Sequence, residues 1–145
     1  MASTSETILE ALAALLDAAK PAGASFERNA TLPGTIPAAG TLILRDGDPG
    51  EPEVLISPPV YFYEHRAELD LVVDRNSATE RDAVFDAAKT AVAAALAADR
   101  TLGGLCDYVI GEAPEPIDLP VEGAATLKAA TIGIILQYGS PDPLS

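Results

Sequence analysis

The sequence predicts an α+β fold, a single mostly antiparallel (mixed) sheet with two main helices packed on one face. Three observations carry that expectation. Two segments begin with capping-box spacing and repeat apolar residues every three or four positions, one long stretch alternates apolar with charged residues, and the closing segment is apolar on both faces. With 145 residues and 48% hydrophobic composition, the chain has enough apolar volume for one core, so a single domain over 1–145 is expected.

The first helix starts at Ser3 and Glu6, whose spacing is that of a capping box. It carries Ile8, Leu12, Leu15, Leu16 and Ala19 on one stripe. Pro21 and Gly23 end it near Lys20. In residues 24–40, ASFERN reads as a short strand at a sheet edge, and about 29–40 as a flexible segment punctuated by Pro and Gly. TLILRDGDPGEPEVLI reads as two strands, about 41–45 and 53–57, joined as a hairpin whose tip is Asp46 to Glu51. Pro58 and Pro59 then mark a bulge or kink.

VYFYEHRAELDLVVD gives the strongest strand signal. Tyr61, Tyr63, His65, Ala67, Leu69, Leu71 and Val73 fall on one face, while Glu64, Arg66, Glu68 and Asp70 fall on the other. A second capping box, Ser77 and Glu80, opens a helix running to about 98 with Val84, Ala88, Val92, Ala95 and Leu96 turned to the sheet, and TLGG at 101–104 breaks it. LCDYVIG is a short strand, EAPEPIDLP an extended piece interrupted by proline, and ATLKAATIGIILQYG a long final strand. Because both faces of that last strand are apolar between 129 and 136, it is expected to be central or covered by a neighbouring subunit, with a C-terminal tail at 139–145.

Nine Lys and Arg stand against 22 Asp and Glu, a formal charge of −13 that repels phosphates and disfavours specific nucleic-acid binding. The N-terminal apolar stretch lacks a basic start and contains Glu6, Glu10 and Asp17, which argues against a signal peptide. No apolar run approaches the roughly 20 residues of a membrane span. One cysteine and one histidine make neither an internal disulfide nor a zinc cluster, and they point to a reducing compartment.

No catalytic, cofactor or metal constellation is expected. The acidic run Asp46, Asp48 and Glu51 lacks the further ligands and the terminal bidentate Glu of a calcium loop. His65 has no spacing to Ser57 or Ser140 that suggests a triad, and it reads as a packed or hydrogen-bonded histidine. Cys106 reads as a small buried hydrophobe. The protein-contact candidates are Asp46, Asp48 and Glu51 on the loop, and Glu64, Arg66 and Glu68 on the charged strand face, where alternating signs can fix register between copies.

LILRDGDPGEPEVLISPPVYFYEHRAELDLVV, ALAADRTLGGLCDYVIGEAPEP and ATIGIILQYGSPDPL together resemble the tail terminator, or minor tail completion, proteins of long-tailed phages, prophages and gene transfer agents. The likeness runs from about residue 5 to the end. It implies a virion assembly protein without enzymatic activity, made in the bacterial cytoplasm and residing in the virion tail. Its copies would form a homo-hexameric ring that caps the tail tube protein and meets the head-tail connector protein, with DNA passing through the lumen and no membrane contact. Part of the acidic excess would then line that lumen, with the acidic residues of the strand face and of 107–118 as the candidates. The rival readings are another head-tail connector (neck) protein, or a small ligand-binding or enzymatic α+β domain with a pocket beside the sheet.

Overall fold

The computed structural model describes residues 2–117 and 126–145. Helix α1 (Thr4–Ala19) begins where Ser3 Oγ accepts the Glu6 N–H at 3.2 Å, and it buries Ile8, Leu9, Leu12 and Leu16. Strands β1 (Ser25–Arg28), β2 (Thr41–Asp48), β3 (Glu53–Leu55) and β4 (Val60–Asp74) follow. Helix α2 (Ala78–Ala98) is capped by Ser77, and β5 (Tyr108–Gly111), β6 (Glu115–Pro116) and β7 (Leu127–Ser140) complete the chain.

The sheet runs β1-β2-β4-β7-β5, with β3 added to β4 and β6 to β7. Every pairing is antiparallel except β1 with β2, so the sheet is mixed as expected. Residues 29–40 contain neither helix nor strand and return the chain so that β1 and β2 run the same way. β7 is central in the sheet, with β4 on one side and β5 and β6 on the other. It extends to Ser140, two residues into the segment expected to be tail, and Ser140 Oγ lies 2.6 and 2.7 Å from the carbonyl oxygens of Asp142 and Ser145.

One face of the sheet carries the core. Tyr63, His65, Ala67, Leu69, Leu71 and Val73 of β4 are buried there beside Ile132, Ile134, Leu136 and Tyr138 of β7, under both helices. On α2 the buried stripe is Phe85, Ala88, Val92, Ala95 and Leu96, while Val84 is only partly covered. Phe85 is the residue the periodic reading passed over by one position.

The expected 41–57 hairpin does not form. β2 and β3 both run antiparallel to β4 along the same edge of it, β2 against 66–72 and β3 against 60–62, so the chain continues in one direction past Asp46 to Glu51. The Gly and Asp chemistry of that run serves a register shift between Arg45 and Asp48 instead of a reversal. Gly47 sits there with φ +72°, against the backbone of Arg66. The reversal lies one segment later, at residues 56–59, where the Ser57–Pro58 bond is cis and β3 and β4 form the real hairpin. Pro58 and Pro59 therefore make the turn of that hairpin, where a bulge or kink before the next strand was expected.

Candidate functional site: two unlike surfaces

Beside the core, β4 and β7 place a small polar cluster at the α1 end of the sheet. His65 Nε2 lies 2.6 Å from the Asp46 carbonyl oxygen, which can only accept, so Nε2 carries the proton in that bond. The Tyr138 hydroxyl is 2.8 Å from His65 Nδ1 and supplies the hydrogen that this tautomer needs. Both rings are buried, so His65 is the hydrogen-bonded core histidine expected from its register. Burial, with Tyr63 alongside, pushes the Tyr138 phenol up to about 12.

That shift has a sign. The folded chain holds the Tyr138 proton more tightly than the unfolded chain, so this contribution to stability is intact below pH 10.0 and is lost as pH rises toward about 12. In an alkaline absorbance titration Tyr138 is expected to ionise well above pH 10.0, and a titration with no component there would contradict its burial. Cys106 is likewise buried, and desolvation raises its thiol.

Arg28 ties three elements together. Its guanidinium grips Glu6 of α1 at 2.8 and 2.9 Å and Asp46 of β2 at 2.8 Å, and these bonds hold Glu6 below the usual carboxylate range. Asp46, a predicted contact residue, thus already has internal partners, as does Asp48, which accepts the Gly50 N–H at 2.8 Å.

The solvent face of β4 bears the predicted charged strip. Arg45 spans Glu68 and Asp70 at 3.1 and 2.9 Å, Thr131 donates to Asp70 at 2.7 Å, and Arg66 donates to Glu112 at 2.9 Å. Glu115 stands 3.9 Å from Arg66. The structure therefore joins Glu68 and Asp70 of the strand face, through Arg45 and Arg66, to Glu112 and Glu115 of the 107–118 segment, while Asp107 stands apart and Asp118 lies outside the described residues. Arg66 and Glu68 are paired within this network, and the Glu112 hydrogen bond raises the Arg66 pKa.

Glu51 and Glu64 belong to a different surface. With Glu53 and Asp107 they border a groove of about 390 Å³ floored by Phe62, Tyr63 and Tyr138, and none of these four acids has an ion-pair partner among the described residues. The adjoining β3–β4 hairpin exposes Val54, Leu55 and Ile56, the last to 82%. Sequence reasoning missed this apolar arm. Its signal was Phe62, an aromatic standing on the strand face where Glu64, Arg66 and Glu68 follow.

A second groove, about 410 Å³, lies across the molecule between α2 and the β5 edge. Val92, Leu96, Ile110 and Ile132 make it apolar, and Lys89 and Arg100 border it. Arg100 donates to the Val109 carbonyl at 3.0 Å and lies over the Tyr108 ring at 5.4 Å, with no carboxylate partner among the described residues. No described helix is long and apolar enough to cross a membrane.

No family model and no curated protein matches the sequence. Among solved structures, the chain shares its fold with a chain described as "Virion of native gene transfer agent (GTA) particle", at TM-score 0.51 and 17% identity, over 88% of this chain and 86% of that one.

Proposed function

We propose that this protein is a structural component of a phage-like or gene transfer agent virion, a ring subunit that caps the tail tube and joins it to the head. The observation that carries the reading is the fold shared with a virion chain over nearly the whole length of both. The segments that resemble tail terminators include parts of both surfaces described above: RDGDPGEPEVLISPPVYFYEH holds the apolar hairpin, and ALAADRTLGGLCDYVIGEAPEP holds the β5 side of the second groove with Leu96 and Arg100. The mechanism is steric. The last tube ring binds one side of the capping ring, closure leaves no site for another tube subunit, and the opposite side receives the head-tail connector. Nothing in this role calls for enzymatic chemistry, and the acids near the charged strip would face a DNA passage without gripping it.

Loss of the gene in a producing strain is expected to give tail tubes of uncontrolled length, visible by electron microscopy, and heads without tails. Tubes of normal length lying beside unjoined heads would assign the chain to the neck instead, and unaltered particles would remove it from the virion. The purified chain is expected to leave duplex DNA unshifted in a mobility titration even at low salt, and retention would contradict a passive ring.

A further inference from the structure

We infer that the β3–β4 hairpin of one copy of this chain seats in the α2–β5 groove of a second copy, an interface between two unlike surfaces repeated from subunit to subunit. It rests on the ring reading for its biological setting, but its chemistry is independent of it. The two surfaces complement each other in both respects that matter. Val54, Leu55 and Ile56 are exposed side chains on a projecting turn, and the recess presents the exposed Ile110 over a floor of the buried side chains of Val92, Leu96 and Ile132. Beside the turn stand Glu51 and Glu53, acids without an ion-pair partner among the described residues, and beside the recess stand Lys89 and Arg100. Among the described residues Lys89 has only an exposed contact with Asp86, at 3.3 Å. In a chain with 22 acids and nine bases, an apolar recess bordered by two cations, whose one lining acid, Glu112, is bonded to Arg66, is the natural seat for an acidic apolar arm.

The backbone supports the same docking. Glu112 N–H bonds Gly133 O, whereas Val109 N–H turns the other way to bond Arg100 O, so the alternation of the strand turns Gly111 away from β7 as well. Gly111 also lines the recess, and its missing side chain keeps the space beside α2 open, since a Cβ there would stand 3.4 Å from Leu96 Cδ1 and 3.7 Å from Ile132 Cγ2.

The arm cannot reach its own recess. Val60, at the foot of the turn, lies eight positions along β4 from Glu68, which is opposite Gly133 beside the recess, a separation of roughly 25 Å along the strand. Contact therefore requires a second copy. An interface of this kind uses a different surface on each partner and propagates until rotation closes it.

The test uses the full chain, followed by light scattering as concentration rises. Wild type is expected to self-associate, and both Ile56→Asp and Arg100→Glu to remain monomeric with unchanged circular dichroism. Mixing the two variants is decisive. Each keeps the surface that the other has lost, so the mixture is expected to form a one-to-one dimer that goes no further. Combining Glu53→Arg with Arg100→Glu in one chain is expected to restore part of the association. A wild-type chain monomeric at its highest soluble concentration, variants that associate normally, or a mixture that stays monomeric would each overturn the interface. None of these outcomes depends on whether the protein is found in a virion. Normal self-association with these surfaces, in a strain whose particles are unaltered by gene loss, would instead sink the virion reading alone.

Discussion

Leu71→Ala is expected to destabilise the chain by about 2–5 kcal/mol, read as a lower midpoint in chemical denaturation. Leu71 is 1% exposed, lies opposite Leu42 in β2 and Ala130 in β7, and belongs to the core cluster under both helices. Few residues can move to fill the space. Leu144→Ala, at a side chain 90% exposed, is the control and should fall within about 0.5 kcal/mol of wild type. Equal effects of the two substitutions would mean that the β4 register is wrong, because a shift of one residue exchanges the core and solvent faces.

Gly47→Ala is expected to cost about 3 kcal/mol, well above the cost of Gly50→Ala three residues later. Both glycines have left-handed backbone, with φ of +72° and +71°, so both substitutions carry the same local penalty of about 1–2 kcal/mol. Their surroundings differ. A Cβ at Gly47 would collide with the Arg66 carbonyl oxygen and stand 2.9 Å from Ala67 Cα, whereas one at Gly50 meets nothing within 4 Å. Because the obstruction is backbone, relief requires β2 to move off β4. The difference between the two melting midpoints isolates that contact, and its absence would mean that β2 does not cross β4 as described.

These predictions rest on parts of the fold that were unequally legible in the sequence. The helices could be read because each repeats a stripe and starts with a side chain that satisfies its own first turn, Ser3 and Ser77. β4 could be read because its alternation is nearly unbroken, and β7 because apolar residues on both faces belong to a central strand. The hairpin was misplaced for a physical reason. Asp-Gly-Asp-Pro-Gly favours turns, but a bulge needs the same left-handed glycine, and which one forms depends on a partner strand remote in sequence. The surfaces suffered similarly. The charge alternation of Glu64, Arg66 and Glu68 is visible locally, yet the closure of Arg66 on Glu112, and the isolation of Glu64 from any cation among the described residues, depend on tertiary placement.

The β4–β7 ladder has a consequence for how the chain folds. It pairs Tyr61 to Asp74 with Ser140 to Leu127, and even its nearest ends, Asp74 and Leu127, are separated by α2, β5 and β6. The central contacts are therefore long-range, and the loop entropy must be overcome before any of them rewards the chain. During synthesis α1 to β6 emerge first, but β5 and β6 have no strand to pair with until β7 leaves the ribosome, and the inner face of β4 stays half covered until then. Folding is thus expected to be late, concerted and slower than in a helical protein of this size. The apolar turn at Val54 to Ile56 is exposed throughout that wait, so a chain stalled before β7 presents an adhesive arm without the Ile132 side of the recess that would receive it.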